Sequence, residues 1–212
     1  MAGLETLAAF ALATLLFAYM PGPALLYTTA RTLAHGRRAG LAAAFGIHIG
    51  CYVHVLAATF GLSAVFLVVP TLYLVLKLAG AAYLVWLGVR LIRERAPDAA
   101  MSDLPMPPPR HGRRAFVDSV LVEILNPKVA IFFIAFLPQF VDPAASLPVW
   151  SQFLILGMLV NLTFSSADLV AVVFASSLKA RLQRSPRWTG LMKKFGGAVL
   201  VGLGFRLALE RN

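Results

Sequence analysis

The sequence predicts an all-α integral membrane protein with six transmembrane helices. They form two inverted three-helix repeats, the first and fourth helices broken at proline. Three observations carry this expectation: an oily composition, basic residues that alternate along the chain, and proline-centred interruptions at matching places. Of 212 residues, 59% are hydrophobic and 13% charged, with mean hydropathy +0.80. Soluble domains carry about 25% charged residues. A soluble fold of this composition would lack the polar surface to cover itself.

Six segments reach the roughly 20 apolar residues that a bilayer crossing needs: 3–30, 41–66, 68–92, 115–137, 149–176 and 191–209. The first runs from Gly3 to Met20, meets Pro21-Gly22-Pro23 and resumes with Ala24-Leu25-Leu26-Tyr27. It is not read as a cleavable signal peptide, because it lacks a basic leader and is longer than a signal core. Inside a helix, proline costs about 3 kcal/mol and glycine roughly 1 kcal/mol more, so the triplet requires a reason. In the second segment Gly46, Gly50 and His54 share a face, and the small-xxx-small spacing favours close helix packing. His54 is either a hydrogen-bonded packing residue or a proton shuttle, and His48 is a weaker candidate. Cys51, the single cysteine, reads as a buried small hydrophobe.

Lys77 lies some nine residues into the third segment. Residues 94–114, "ERAPDAAMSDLPMPPPRHGRR", are rich in proline and polar side chains and form the linker between a repeat at 1–93 and a repeat at 115–212. The fourth segment, "SVLVEILNPKVAIFFIAFLPQF", is interrupted at Asn126-Pro127-Lys128, with Glu123 one turn earlier. In the fifth, Asn161, Ser165 and Asp168 recur at i, i+4 and i+7 and so share one helix face. Gly196, Gly197, Gly202 and Gly204 in the sixth read as packing residues, within the chain or between subunits of a homo-oligomer.

The net charge of +10 does not signal nucleic-acid binding, because of where the charge lies. Fifteen of the 19 basic residues follow the first, third and fifth segments, and none follows the second or fourth. Basic connections mark the cytoplasmic side, which places both termini on the outer face. Three crossings per half mean that the second half enters from the opposite side. Paired, proline-interrupted helices in corresponding positions of two halves point to a transporter's binding site. A break exposes backbone amides and carbonyls, which membranes tolerate only beside a cavity or another helix.

Ionisable residues at membrane depth are functional candidates by default. Asp168 heads them: burial penalises the charged form of a carboxylate, which suits a group that must load and release a proton. It would equally grip a substrate ammonium, or form a permanent pair with a buried lysine. Lys128, roughly 18 Å into its helix, holds a substrate carboxylate or neutralises Asp168. Glu123 is a cation site on the cytoplasmic side, a proton relay, or a solvated helix end. No Cys/His spacing suggests a metal and no glycine loop a phosphate cradle, so no cofactor is expected.

Three stretches, "PGPALLYTTARTLAHGRRAGLAAAFGIHIG", "KLAGAAYLVWLGVRL" and "LNPKVAIFFIAFLPQFVDP", together resemble the LysE/RhtB superfamily of bacterial amino-acid exporters. The similarity is greatest to its threonine and homoserine/homoserine-lactone efflux branch and spans nearly the whole chain apart from 94–114. It implies a multi-pass exporter of small amino acids or derivatives in the bacterial cytoplasmic membrane, driven by protons. It carries Pro21, Gly22, Pro23, Asn126, Pro127 and Lys128 onto the family's two breaks. Lys77, Gly80 and Tyr83 match its third-helix pattern, and Asp168 an acidic position of its fifth. Glu123 stands where members commonly have asparagine, and His48 replaces a neutral residue.

The expected mechanism is alternating access around a midplane site bounded by the two breaks. Substrate contacts are assigned to Pro21, Gly22, Pro23, Asn126, Pro127, Lys128, Asn161 and Ser165, and proton coupling to Asp168, Glu123, Lys77 and His54. A structural or regulatory membrane protein and a channel are the rivals. A membrane enzyme would need a nucleophile or metal set, and the sequence offers neither.

Overall fold

A computed structural model describes residues 4–64 and 113–184, with single positions between 75 and 93 and between 194 and 205. Side chains are described for 7–64 and 113–175 and at those positions. Expectations for the linker at 94–112, for most of the third and sixth segments, and for Lys77, Gly80 and Tyr83 fall outside the described residues. So do Gly196, Gly197 and Gly204.

Every regular element among the described residues is helical. Helix α1 (Leu4–Tyr19) gives way to α2 (Pro23–His35), and Leu7–Tyr19 meets α2 at 45°. Helix α3 (Arg37–Leu56) ends in a π-helical turn at Ala57–Leu62. Helix α4 (Arg113–Ile124) is followed by α5 (Pro127–Ile131), which continues through a π-helical turn at Phe132–Phe136 and a 3-10 turn at Leu137–Phe140. Helix α6 spans Val149–Arg184. Three stretches are long and apolar enough to cross a membrane: Arg37–Leu62, Arg113–Phe140 and Val149–Ala175. The bent α1–α2 pair makes a fourth if it counts as one span.

Two sequence expectations are corrected. Helix α2 runs to His35, so Arg31 is not part of a connection; it lies inside the helix and is only 4% exposed. The connection shrinks to Gly36, whose φ of 83° lies in the left-handed region that glycine adopts without penalty. Its amide donates to Thr32 O at 2.9 Å, and α3 begins at the next residue. The cost assigned to the prolines also changes. Pro23 and Pro127 each occupy the first turn of the helix that restarts after a break. There the missing N–H would have had no acceptor, and the fixed φ is already helical.

Helix α3 is central, packing on α2, α4 and α6, while α6 also covers α1 and α2. The α3–α4 approach is close because Gly46 and Gly50 face α4. A Cβ on Gly46 would sit 2.6 Å from Ser119 Cβ, and one on Gly50 would sit 2.7 Å from Val120 O. Hydroxyls within these helices are satisfied locally: Thr32 donates to Thr28 O, Thr59 to Val55 O and Ser119 to Ala115 O, all at 2.7–2.8 Å. Before α6 the chain is pinned by Gln152, which is fully buried. Its Oε1 accepts from Asp142 N at 2.9 Å, and its Nε2 donates to Asp142 O and Leu147 O at 2.8 Å.

Phenylalanines fill the core beside the breaks. The ring of Phe17 on α1 lies 4.6 Å from Phe132 and 6.0 Å from Phe164 of α6, centroid to centroid. Phe132 continues to Phe136 at 4.5 Å, and Phe136 to Phe140 at 4.8 Å. Phe10 closes on Phe140 at 5.0 Å. The stack therefore occupies the side of the breaks on which α1 begins.

Candidate functional site

At the first break Met20 N still reaches Phe17 O, at 3.3 Å, but the α1 ladder cannot continue through Pro21. Gly22 is extended (φ −139°, ψ 178°), and Pro23 starts α2. At the second break Asn126 is extended (φ −75°, ψ 104°). Its Oδ1 accepts from Lys128 N at 3.1 Å, capping α5, and its Nδ2 donates to Glu123 Oε2 at 3.0 Å. The carbonyl of Glu123 receives Asn126 N at 3.0 Å and His54 Nε2 at 2.9 Å. Since a carbonyl only accepts, His54 is the donor there.

Lys128 joins the two breaks. Its Nζ donates to Phe17 O and to Met20 O, both at 2.6 Å. It also lies 4.7 Å from the centroid of the Phe17 ring and 5.9 Å from that of Phe164. The terminal carbonyls of a helix carry partial negative charge and have no partner within the helix, so an ammonium is a fitting cap for the end of α1. Gly22 makes room for it: a Cβ there would sit 2.6 Å from Lys128 Cδ.

A cavity of about 20 Å³ opens between the breaks. Gly22, Ala24 and Leu25 line it from the first break, Glu123, Asn126 and Lys128 from the second, and Phe164 and Asp168 from α6. Glu123 is 1% exposed and Asp168 4%. The solvated-end reading of Glu123 is therefore corrected. Helix α3 covers it: Gly50 faces the Glu123 Cβ, and the thiol of buried Cys51 sits beside the carboxylate. Asp168 has Thr28 of α2 as its neighbour. Among the described residues no three His, Cys, Asp or Glu side chains form a metal-binding group.

Of the sequence-predicted site residues, the cavity gathers Gly22, Glu123, Asn126, Lys128 and Asp168. Pro21, Pro23 and Pro127 are exposed and do not line it. Asn161 and Ser165 also lie off the cavity, against α3. Ser165 Oγ and His48 Nδ1 share a 2.6 Å hydrogen bond, and Asn161 Nδ2 donates to His48 O at 3.3 Å. Sequence reading ranked His48 low and missed this α3–α6 contact. The available signal was one of two histidines on an oily helix and a three-residue polar stripe on another.

Asn126 holds both the α5 amide and the Glu123 carboxylate. Asn126→Ala is expected to lower stability by about 1–2 kcal/mol, seen as an earlier thermal melt in detergent. Asn126→Asp keeps the cap but sets a second carboxylate against Glu123, and should melt earlier than the wild type as well.

The fold and cavity define a polytopic helical membrane protein with charged side chains gathered where two interrupted helices meet. The chain belongs to the LysE type translocator family, whose description matches residues 15–211. It is 32% identical over 207 residues to an uncharacterized membrane protein of Vibrio cholerae, covering 96% of each chain. It is 30% identical over 208 residues to the homoserine/homoserine lactone efflux protein of Salmonella typhimurium, again covering 96% of each. To the leucine efflux protein of an Enterobacter species it is 27% identical over 195 residues, 89% of this chain and 88% of the other. No solved structure matches.

Proposed function

We propose that this protein exports small amino acids or their derivatives, of the threonine/homoserine type, across the bacterial cytoplasmic membrane in exchange for protons. The observation that carries the reading is the junction itself. Two helix interruptions converge on one cavity that contains two buried carboxylates, Glu123 and Asp168. Buried carboxylates in a membrane are costly unless they serve an ion or substrate path. Relatives named for efflux of homoserine, homoserine lactone and leucine supply the substrate class.

In this reading six helices form inverted repeats at 1–93 and 115–212, joined by a cytoplasmic linker at 94–114, with both termini outside. Transport is by alternating access. Space for one water is about 10–15 Å³ of cavity, so about 20 Å³ is too small for an amino acid, and the breaks must part to admit one. Phe17, Phe132, Phe136 and Phe140 then bar the outer side. A substrate ammonium enters from the cytoplasm and meets Asp168 or Glu123 after proton loss. Protonation from outside weakens that hold and releases it. Pro21, Pro23 and Pro127 act by shaping the breaks, and Asn161 and Ser165 by seating α6 on α3.

Uptake into inside-out vesicles, with a panel of labelled amino acids and an imposed pH gradient, tests this. Saturable, gradient-dependent accumulation of at least one is expected. Uptake that does not saturate would favour a channel, and none above empty vesicles would remove the reading.

A further inference from the structure

The cavity contains one lysine and two carboxylates, and the lysine is already engaged. Two of the three Lys128 donors end on the carbonyls of Phe17 and Met20, and the ammonium lies against the rings of Phe17 and Phe164. Moving it to a substrate carboxylate would strip the end of α1 of its cap. Ala24 and Leu25 also line the cavity, and as first-turn residues of α2 their amides have no acceptor in their own helix. Such neutral donors bond to a carboxylate or to the carbonyl of an amide or lactone alike. The acidic side chains of the cavity, Glu123 and Asp168, select a cation once they have lost their protons.

We infer that Lys128 is a positioning residue that clasps the two breaks together, and that the site requires a substrate's ammonium while reading its acyl end without a charged side chain. The substrate class is thus primary amines with a nearby carbonyl, whether free acid, amide or lactone. This rests on the export reading for the location of the substrate, and goes beyond it in assigning which end is recognised by charge.

The test is calorimetric titration of the purified full-length protein in detergent with matched pairs: threonine and threoninamide, leucine and leucinamide, homoserine and homoserine lactone. The corresponding 2-hydroxy acids, which lack the amine, complete the set. For any pair that binds, the two affinities are expected to agree within about threefold, and the hydroxy acids are expected not to bind. A free acid bound about tenfold or more tighter than its amide or lactone overturns the inference. Binding of a hydroxy acid, or of none of the amines, does so as well. In Lys128→Met both members of a pair should weaken together, whereas loss confined to the free acid would make Lys128 a carboxylate ligand. Should that variant not fold, the wild-type pairs alone decide. Amines that bind without being exported would remove the exporter reading and leave this one standing. Export with a strong free-acid preference would do the reverse.

Discussion

Asp168→Asn is expected to abolish pH-gradient-driven export in proteoliposomes, lowering the initial rate by about a hundredfold, some 2.7 kcal/mol of lost driving interaction. The substitution keeps the shape and hydrogen-bonding capacity of a residue that is 4% exposed and lines the cavity. What it removes is the ability to exchange a proton and to hold a cation, so the folded protein should survive while coupling does not. Gel filtration and thermal melting in detergent should match the wild type. Full gradient-driven export by the variant would separate Asp168 from coupling. Glu123→Gln, made in parallel, shows whether the second carboxylate shares the task.

Gly50→Ala should have the largest effect on the fold. Its new methyl would lie 2.7 Å from the carbonyl oxygen of Val120 and 2.9 Å from Glu123 Cβ. Backbone cannot yield as a flexible side-chain tip does, so α3 and α4 must move apart. Overpacking of this kind costs about 1–3 kcal/mol. The predicted result is a clearly lower melting temperature and reduced transport, since Glu123 is displaced together with α4. Gly61→Ala is the control: a Cβ there meets nothing within 4 Å, and the melt should stay near the wild type. Equal melting of the two variants would mean that the α3–α4 approach has slack.

The apolar runs announced the helices because lipid imposes a length requirement that composition alone reveals. Gly46 and Gly50 were legible as packing residues from their spacing. Proline has few places inside a helix, so interruptions were expected at Pro21, Pro23 and Pro127; helices α2 and α5 begin at Pro23 and Pro127. Why those prolines are inexpensive could not be read, since a first-turn site depends on where the next helix starts. The bond from Lys128 to Phe17 O spans 111 residues in sequence. No periodicity encodes such a contact, so the sequence offered a substrate carboxylate or Asp168 as partner and missed the end of α1. Gly22 illustrates the same limit. It reads as a helix breaker, yet in the fold its missing Cβ is the clearance through which Lys128 passes. Burial of Glu123 likewise depends on α3, a neighbour that the fourth segment alone does not disclose.

Helix α6 carries one more implication. Its apolar part, Val149–Ala175, is 27 residues long and so extends about 40 Å. The hydrocarbon slab is only about 30 Å thick, so such a rod leans, bends or carries its ends into the headgroup layers, and the non-helical backbone at Phe174 (φ −106°, ψ 16°) lets its final turns take another direction. Asp168 lies six residues before that joint. Acyl-chain length is thereby expected to act on the helix that carries Asp168.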